Sequence, residues 1–176
     1  MTHKLAGCTF GWLHRAPLAD ALRSLSAAGV RTIELTTAPP HLFTRHLGPY
    51  ERMDLARLLR ALGLGVVSLN PSFADINLIS TNPEIRAISE RQLTAEIELA
   101  ADLSAQHVVV IPGRRHALAP APDAAAKLAK STSPRPTDVC AQRARQVSLT
   151  WASPRYSPSR ATPTTGSSWA RALATS

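Results

Sequence analysis

Residues 107–116 read HVVVIPGRRH. Four branched apolar residues in a row, with no polar residue between them, predict a strand that is buried on both faces. Pro112 and Gly113 end it at once, and Arg114, Arg115 and His116 follow. Strands of this kind belong to parallel sheets covered by helices. In such folds ligands are held where the strands end. The fold therefore turns on whether further strands and helices of the same type flank this one.

Upstream they do. Asn82-Pro83-Glu84 starts a helix, with Asn82 as N-cap and Pro83 in the first position. It is predicted to run to about Ala105, with Ile85, Ile88, Leu93, Ile97, Leu99 and Leu103 as its buried stripe. Before it, GVVSLNPS (65–72) reads as a strand broken by Pro71, followed by the loop FADINLISTN (73–82). ERMDLARLLRALG (51–63) puts Met53, Leu55, Leu58, Leu59 and Leu62 on one helical face and stops at Gly63. VRTIELTT (30–37) is rich in strand formers, and APPHLFTRHLGPY (38–50) is the long loop after it. PLADALRSLSAAG (17–29) repeats the helical pattern, with Pro17 in the first turn and Gly29 as C-cap. LAGCTFGW (5–12) is the first strand.

The order is β-α-β-α-β-α-β, with long polar loops after strands and tight turns after helices. That asymmetry fits barrel and doubly wound enzymes. No GxGxxG follows the first strand, which disfavours a dinucleotide fold. Downstream, APAPDAAAKLAK (119–130) offers a fourth helix from Asp123, with Leu128 as its one large apolar residue.

Beyond that the composition changes. Residues 131–176 contain no Ile, Phe, Glu or Lys; 16 of the 46 are Ser or Thr and five are Pro. Such a segment buries too little apolar surface to offset chain entropy, so residues 129–176 are expected to be a disordered, basic, low-complexity tail. The abrupt change inside a starting helix favours an out-of-frame reading of a GC-rich gene over a natural interaction tail. The formal net charge is +8, and most of it lies in this tail. Its arginines are scattered and no binding motif accompanies them, so a nucleic-acid role is not expected. Cys8 and Cys140 match no metal or redox spacing, and Cys8 reads as a small buried residue. No stretch has the apolar run of a signal peptide or a membrane span, so a cytoplasmic protein with no membrane partner is expected.

Taken in this order, LAGCTFGW, ALRSLSAAGVRTIELTT, LNPSFADINLISTNPEIRAISERQLTAEIELAADLSA and HVVVIPGRRH resemble the N-terminal half of the sugar phosphate isomerases/epimerases. These belong to the xylose-isomerase-like TIM-barrel superfamily, which includes the apurinic endonuclease branch. The resemblance spans roughly residues 5–128 and implies an α/β fold: a partial (β/α)8 barrel of about four βα units over 1–128. In that family a divalent metal binds at the barrel mouth, on carboxylates and histidines of the later strands. No LEN-like strand-five stretch follows here, no Glu comes after Glu98 and no His after His116. The chain is thus expected to be a truncated member, inactive alone, without metal ligands and binding no metal itself.

Four residues are the candidates for contacting a small sugar or sugar phosphate: Glu34, Asn70, Arg114 and His116. Glu34 would be a barrel-mouth carboxylate that orients substrate; the plain alternative is a strand glutamate capped by Arg or solvent. Asn70 closes its strand and can both donate to and accept from a sugar hydroxyl, unless it serves only an Asn-Pro turn. Arg114 and Arg115 offer a fork for phosphate or carboxylate, and His116 a proton carrier or metal ligand. His41 and His46 lie in the loop after the second strand; Asp75 and Asn77 read as turn formers, Trp12 as a packing residue or pocket wall. No residue is assigned as catalytic. A second class remains open: a non-catalytic half-barrel whose basic tail meets an acidic partner. In either class an open sheet is expected to self-associate through its edges.

Overall fold

The structure, a computed structural model, describes residues 5–71, 76–114, 126–127 and, as backbone, 148–151. Five strands form one sheet: β1 (Gly7–Cys8), β2 (Thr32–Thr37), β3 (Gly65–Pro71), β4 (His107–Val110) and β5 (Ser148–Trp151). Three helices link the first four: α1 (Leu18–Ala27), α2 (Pro49–Ala61) and α3 (Pro83–Asp102). All neighbours are parallel and stand in chain order. Every crossover therefore steps one strand in the same direction. A doubly wound sheet reverses direction at a switch point; this one does not, and the fold is a partial TIM barrel.

The two faces of the sheet differ. Ile33, Leu35, Leu69, Val108 and Val110 are buried and pack with Leu22, Leu59, Leu93 and Leu99 from the helices into one core. The opposite face carries the alternate residues of each strand. Its register is altered in β3. Ile33 pairs with Val66, but Glu34 pairs with Ser68, so β3 holds one extra residue, Val67. This bulge sets Ser68 and Asn70 beside Glu34 and Thr36. Without it, Val67 and Leu69 would have faced them.

The three αβ turns share one device. Gly29 (φ 83°), Gly63 (φ 65°) and Ser104 (φ 55°) adopt the left-handed conformation just past α1, α2 and α3. The next amide in each reaches back to the helix: Val30 N to Leu25 O at 3.1 Å, Leu64 N to Leu59 O at 2.9 Å, Ala105 N to Ala100 O at 2.8 Å. This is the Schellman pattern, which satisfies carbonyls the helix end leaves free. At the start of α3, Asn82 caps as expected, its Oδ1 accepting from Glu84 N at 2.9 Å.

Several expectations are corrected. The buried stripe of α3 is not led by Ile85 and Ile88, which are exposed; Ser89, Gln92, Leu93, Glu96 and Leu99 are buried instead. The loops over α3 bring a backbone N–H to Ser89 and a hydroxyl to Glu96, so these polar groups are satisfied there. Met53 is exposed on α2. Cys8 is exposed as well, on the face away from the helices. Pro17 is the N-cap of α1, not part of its first turn. Within 129–176, read as structureless, Ser148–Trp151 form β5, where Leu149 and Trp151 alternate in sequence with Ser148 and Thr150. A composition average over the tail hides a four-residue alternation. Of the fourth helix, Ala126 and Lys127 are helical; the rest of that reading and of the tail lies outside the described residues.

Candidate functional site

The polar face of the sheet is built row by row from the strand register. Cys8 pairs with Glu34, Glu34 with Ser68, Ser68 with His107 and His107 with Ser148. Four adjacent strands, β1 to β4, thus place a polar residue in a single transverse row of this face. One row nearer the strand ends, Thr36 pairs with Asn70.

Glu34 is the hub. Its Oε2 accepts from Ser68 Oγ at 2.9 Å and its Oε1 from Asn70 Nδ2 at 2.9 Å, while the Cys8 thiol approaches Oε1 at 3.6 Å. Among the described residues its caps are therefore a hydroxyl, an amide and a thiol, not an arginine. Desolvation raises the Cys8 thiol pKa, and the Glu34 carboxylate adds to the rise. Cys8 is accordingly a poor nucleophile and a suitable donor. Asn70 spends its amide N–H on Glu34 and keeps a carbonyl oxygen, an acceptor suited to a hydroxyl. His107 Nδ1 is buried on this face with no hydrogen-bond partner among the described residues.

The rim above this face is held by Asn77. Its Nδ2 donates to Arg114 O at 2.7 Å, its backbone N–H to Ser89 Oγ at 2.8 Å, and its Oδ1 accepts from Ile79 N at 3.2 Å. Ile79 N also reaches Pro112 O at 3.3 Å. Asn77 thus joins the loops after β3 and β4, a role broader than the turn former expected. Gly113 (φ 104°) makes this approach possible, since a Cβ there would fall on the Asn77 side chain.

Among the other candidates, Arg114 is exposed on this rim. His116, Arg115 and Asp75 lie outside the described residues. His41 hydrogen-bonds the Ala16 carbonyl through Nε2 at 2.9 Å, joining the loop after β2 to the turn before α1. His46 is exposed and packs edge-on against Phe43 at 4.7 Å. The structure therefore brings Glu34 and Asn70 together and sets Arg114 apart on the rim.

Behind the sheet, Glu96 of α3 is fully buried. Burial pushes its carboxyl up to about 7, against the pull of the Thr44, Thr37 and Gln92 side chains and of Arg52. Neither this residue nor Ser68 stands out in the sequence. A Glu inside a helix reads as solvent-facing, and a Ser in a strand as filler.

The described residues do not fit a divalent metal. Both Glu34 oxygens already accept hydrogen bonds, and no cluster of three or more His, Cys, Asp or Glu able to hold an ion occurs among the described residues. Nor, among them, is any helix long and apolar enough to cross a membrane.

The family model of the xylose isomerase-like TIM barrel matches residues 22–135. No curated protein matches the chain. Among solved structures, a D-tagatose 3-epimerase-like protein superposes with a TM-score of 0.67 at 17% identity, covering 85% of this chain and 52% of its own. An L-ribulose 3-epimerase gives 0.57 at 26% identity, with 85% and 49% covered. A protein from Thermus thermophilus, solved after soaking with ZnCl2, gives 0.58 at 26%, with 86% and 55% covered. The chain spans about half the length of each of these structures.

Proposed function

Since the chain belongs to the xylose isomerase-like TIM barrel family, we propose that its sheet is the substrate-orienting part of a sugar isomerase or epimerase barrel. The observation that carries this reading is the Glu34–Asn70 pair on the polar face, one strand apart and joined at 2.9 Å. A carboxylate held by three donors has a fixed direction, and the amide beside it keeps an acceptor that no described residue engages. Together they suit the hydroxyls of a ketose. Arg114, on the rim, would meet a phosphate or carboxylate on the far end of the sugar. His116, two residues on, would share that end.

Isomerisation moves a proton next to a sugar carbonyl, with the developing oxyanion stabilised electrostatically, in this family by a metal. Glu34 is engaged as an acceptor and is a positioning group in this scheme, not the base. No Glu follows Glu98, and β5 reads SLTW without a carboxylate. Residues 1–176 alone are therefore expected to bind sugar without turning it over.

Ligand-observed NMR with D-tagatose or D-fructose, with and without Mg2+, tests both halves of the reading. Wild-type chain should show saturable binding and no epimer. Asn70→Ala should bind about tenfold more weakly, the loss of one hydrogen-bonding partner. Equal binding by wild type and Asn70→Ala would remove the site from this face, and an epimerised product would overturn the expected inactivity.

The sheet is open among the described strands: β1 pairs with β2 alone and β5 with β4 alone. Unpaired parallel edges are templates for further strands. The chain should elute from a sizing column as a concentration-dependent assembly; a single monomeric peak at every concentration would show the edges to be covered.

A further inference from the structure

Glu96 joins two parts of the molecule that the sugar reading does not use. Its Oε1 accepts from Thr44 Oγ1 and from Gln92 Nε2, both at 2.7 Å. Gln92 lies one turn earlier on α3. Thr44, fully buried, belongs to the short 3-10 turn Thr44–His46 in the middle of the loop after β2. The second oxygen, Oε2, is buried and has no partner among the described residues. The hydroxyl of Thr37, the last residue of β2, is likewise buried and unmatched, and it is close enough to act on the carboxyl.

A neutral carboxylic acid suits this spot. Its Oε1 takes the two donors, and a proton on Oε2 removes the charge from an oxygen that no donor among the described residues reaches. An ionised carboxylate would accept more strongly from Thr44 and Gln92, but burial outweighs that gain: the charge would be held away from water with only neutral donors in contact, and opening the loop would hydrate it. The charged groups facing it are few. From α2, Arg52 attracts it, but Arg52 is engaged by Asp102 at 3.1 Å and Glu98 at 3.8 Å. From the loop, Arg45 and His46 are exposed, and His41 is tied to Ala16 O. From β3 and β4, the helix-side residues are Leu69, Val108 and Val110, and His107 lies on the other face.

We propose that Glu96 is a proton-operated latch on the loop after β2: neutral, it clasps the Thr44–His46 turn to α3, and ionised, it releases that turn and the strand end at Thr37. The loop covers residues 38–48. Two further side-chain tethers hold it near its ends, His41 to Ala16 O at 2.9 Å and Arg52 to Leu47 O at 3.2 Å. Releasing Thr44 would free its middle while those anchors persist. The carboxyl titrates near 7, so the latch would operate around neutrality. β2 also carries Glu34 and Thr36 on its other face, so release would loosen the rim beside the polar face. The latch depends on α3, the strand end and the loop, and holds whatever the sheet binds.

Hydrogen exchange of the full chain, corrected for intrinsic rates, tests this between about pH 6 and about pH 8.5. The reporters are the amides of Leu42, His46 and Leu47, which bond to Ala38, Phe43 and Thr44 carbonyls. In wild type their protection should fall about tenfold or more as pH rises. Glu96→Gln copies the neutral acid and should keep them protected throughout. Thr44→Val keeps Glu96 but removes the clasp, and should leave the amides poorly protected at both ends. A flat wild-type profile would overturn the latch. So would an unchanged slope in Glu96→Gln, or wild-type protection at low pH in Thr44→Val.

Discussion

Raising the pH from about 5 to about 8 should lower the unfolding free energy of wild type by up to roughly 3 kcal/mol, since each unit of pKa displacement is worth about 1.4 kcal/mol. The source is Glu96, whose carboxyl rises from 4.5 to about 7 on folding. Between those values the folded chain holds a proton that the unfolded chain has released. Its contribution is therefore present in full below about 4.5, declines across the window and is gone above about 7. This is the reverse of the usual carboxylate in an ion pair, which stabilises at high pH. The figure is an upper bound, because opening of the 38–48 loop would let the ionised group hydrate without global unfolding. Urea denaturation at the two pH values measures it. Glu96→Gln keeps an oxygen acceptor for Thr44 and Gln92 and carries no charge, so its midpoint should not move with pH. A wild-type stability that rises across the same window would contradict the assignment.

Gly113→Ala should destabilise the chain by about 3 kcal/mol, combining a strained left-handed backbone with steric overpacking. At φ 104° the backbone favours glycine, and the added methyl group would meet both the side chain and the backbone of Asn77. Asn77 holds the loops after β3 and β4 together through Arg114 O and Ser89 Oγ. The clash would therefore part the rim as well as lower the melting temperature. Asn77→Gly in the same background should restore only part of the loss, because the collision with the main chain at position 77 remains. Thermal unfolding of wild type and the two altered chains gives the comparison. A Gly113→Ala chain as stable as wild type would mean that the two loops do not approach as described.

These two effects rest on features of different visibility in the sequence. The alternation of strands and helices is legible because each element carries a strong local signal. Asn82-Pro83 caps α3, Gly29 and Gly63 end α1 and α2, and runs such as HVVV and GVVSL have no other use in a covered sheet. Glu34 and Asn70 are also legible as candidates, since a carboxylate within a covered strand and an amide near a strand end are costly unless partnered. Their partnership with each other is not. It depends on Val67, the extra residue of β3, which turns Ser68 and Asn70 to the face of Glu34. A bulge is a relation between two strands and leaves no mark in either one read alone.

The same limit explains the errors. Ile85 and Ile88 continue an apolar helical spacing that predicts burial, yet Ser89, Gln92 and Glu96 are the residues that become buried. Periodicity reports which residues could share a face. It does not report that the loops over the upper half of α3 present Asn77 N–H and the Thr44 hydroxyl to that face. By itself, then, the sequence determined the order and kind of the elements and the parallel covered sheet, because caps, turns and apolar runs act over a few residues. Only the tertiary structure decided which polar groups meet, because hydrogen bonds such as Glu34 to Asn70 and Glu96 to Thr44 span 36 and 52 residues and form only when strand register and loop path are set.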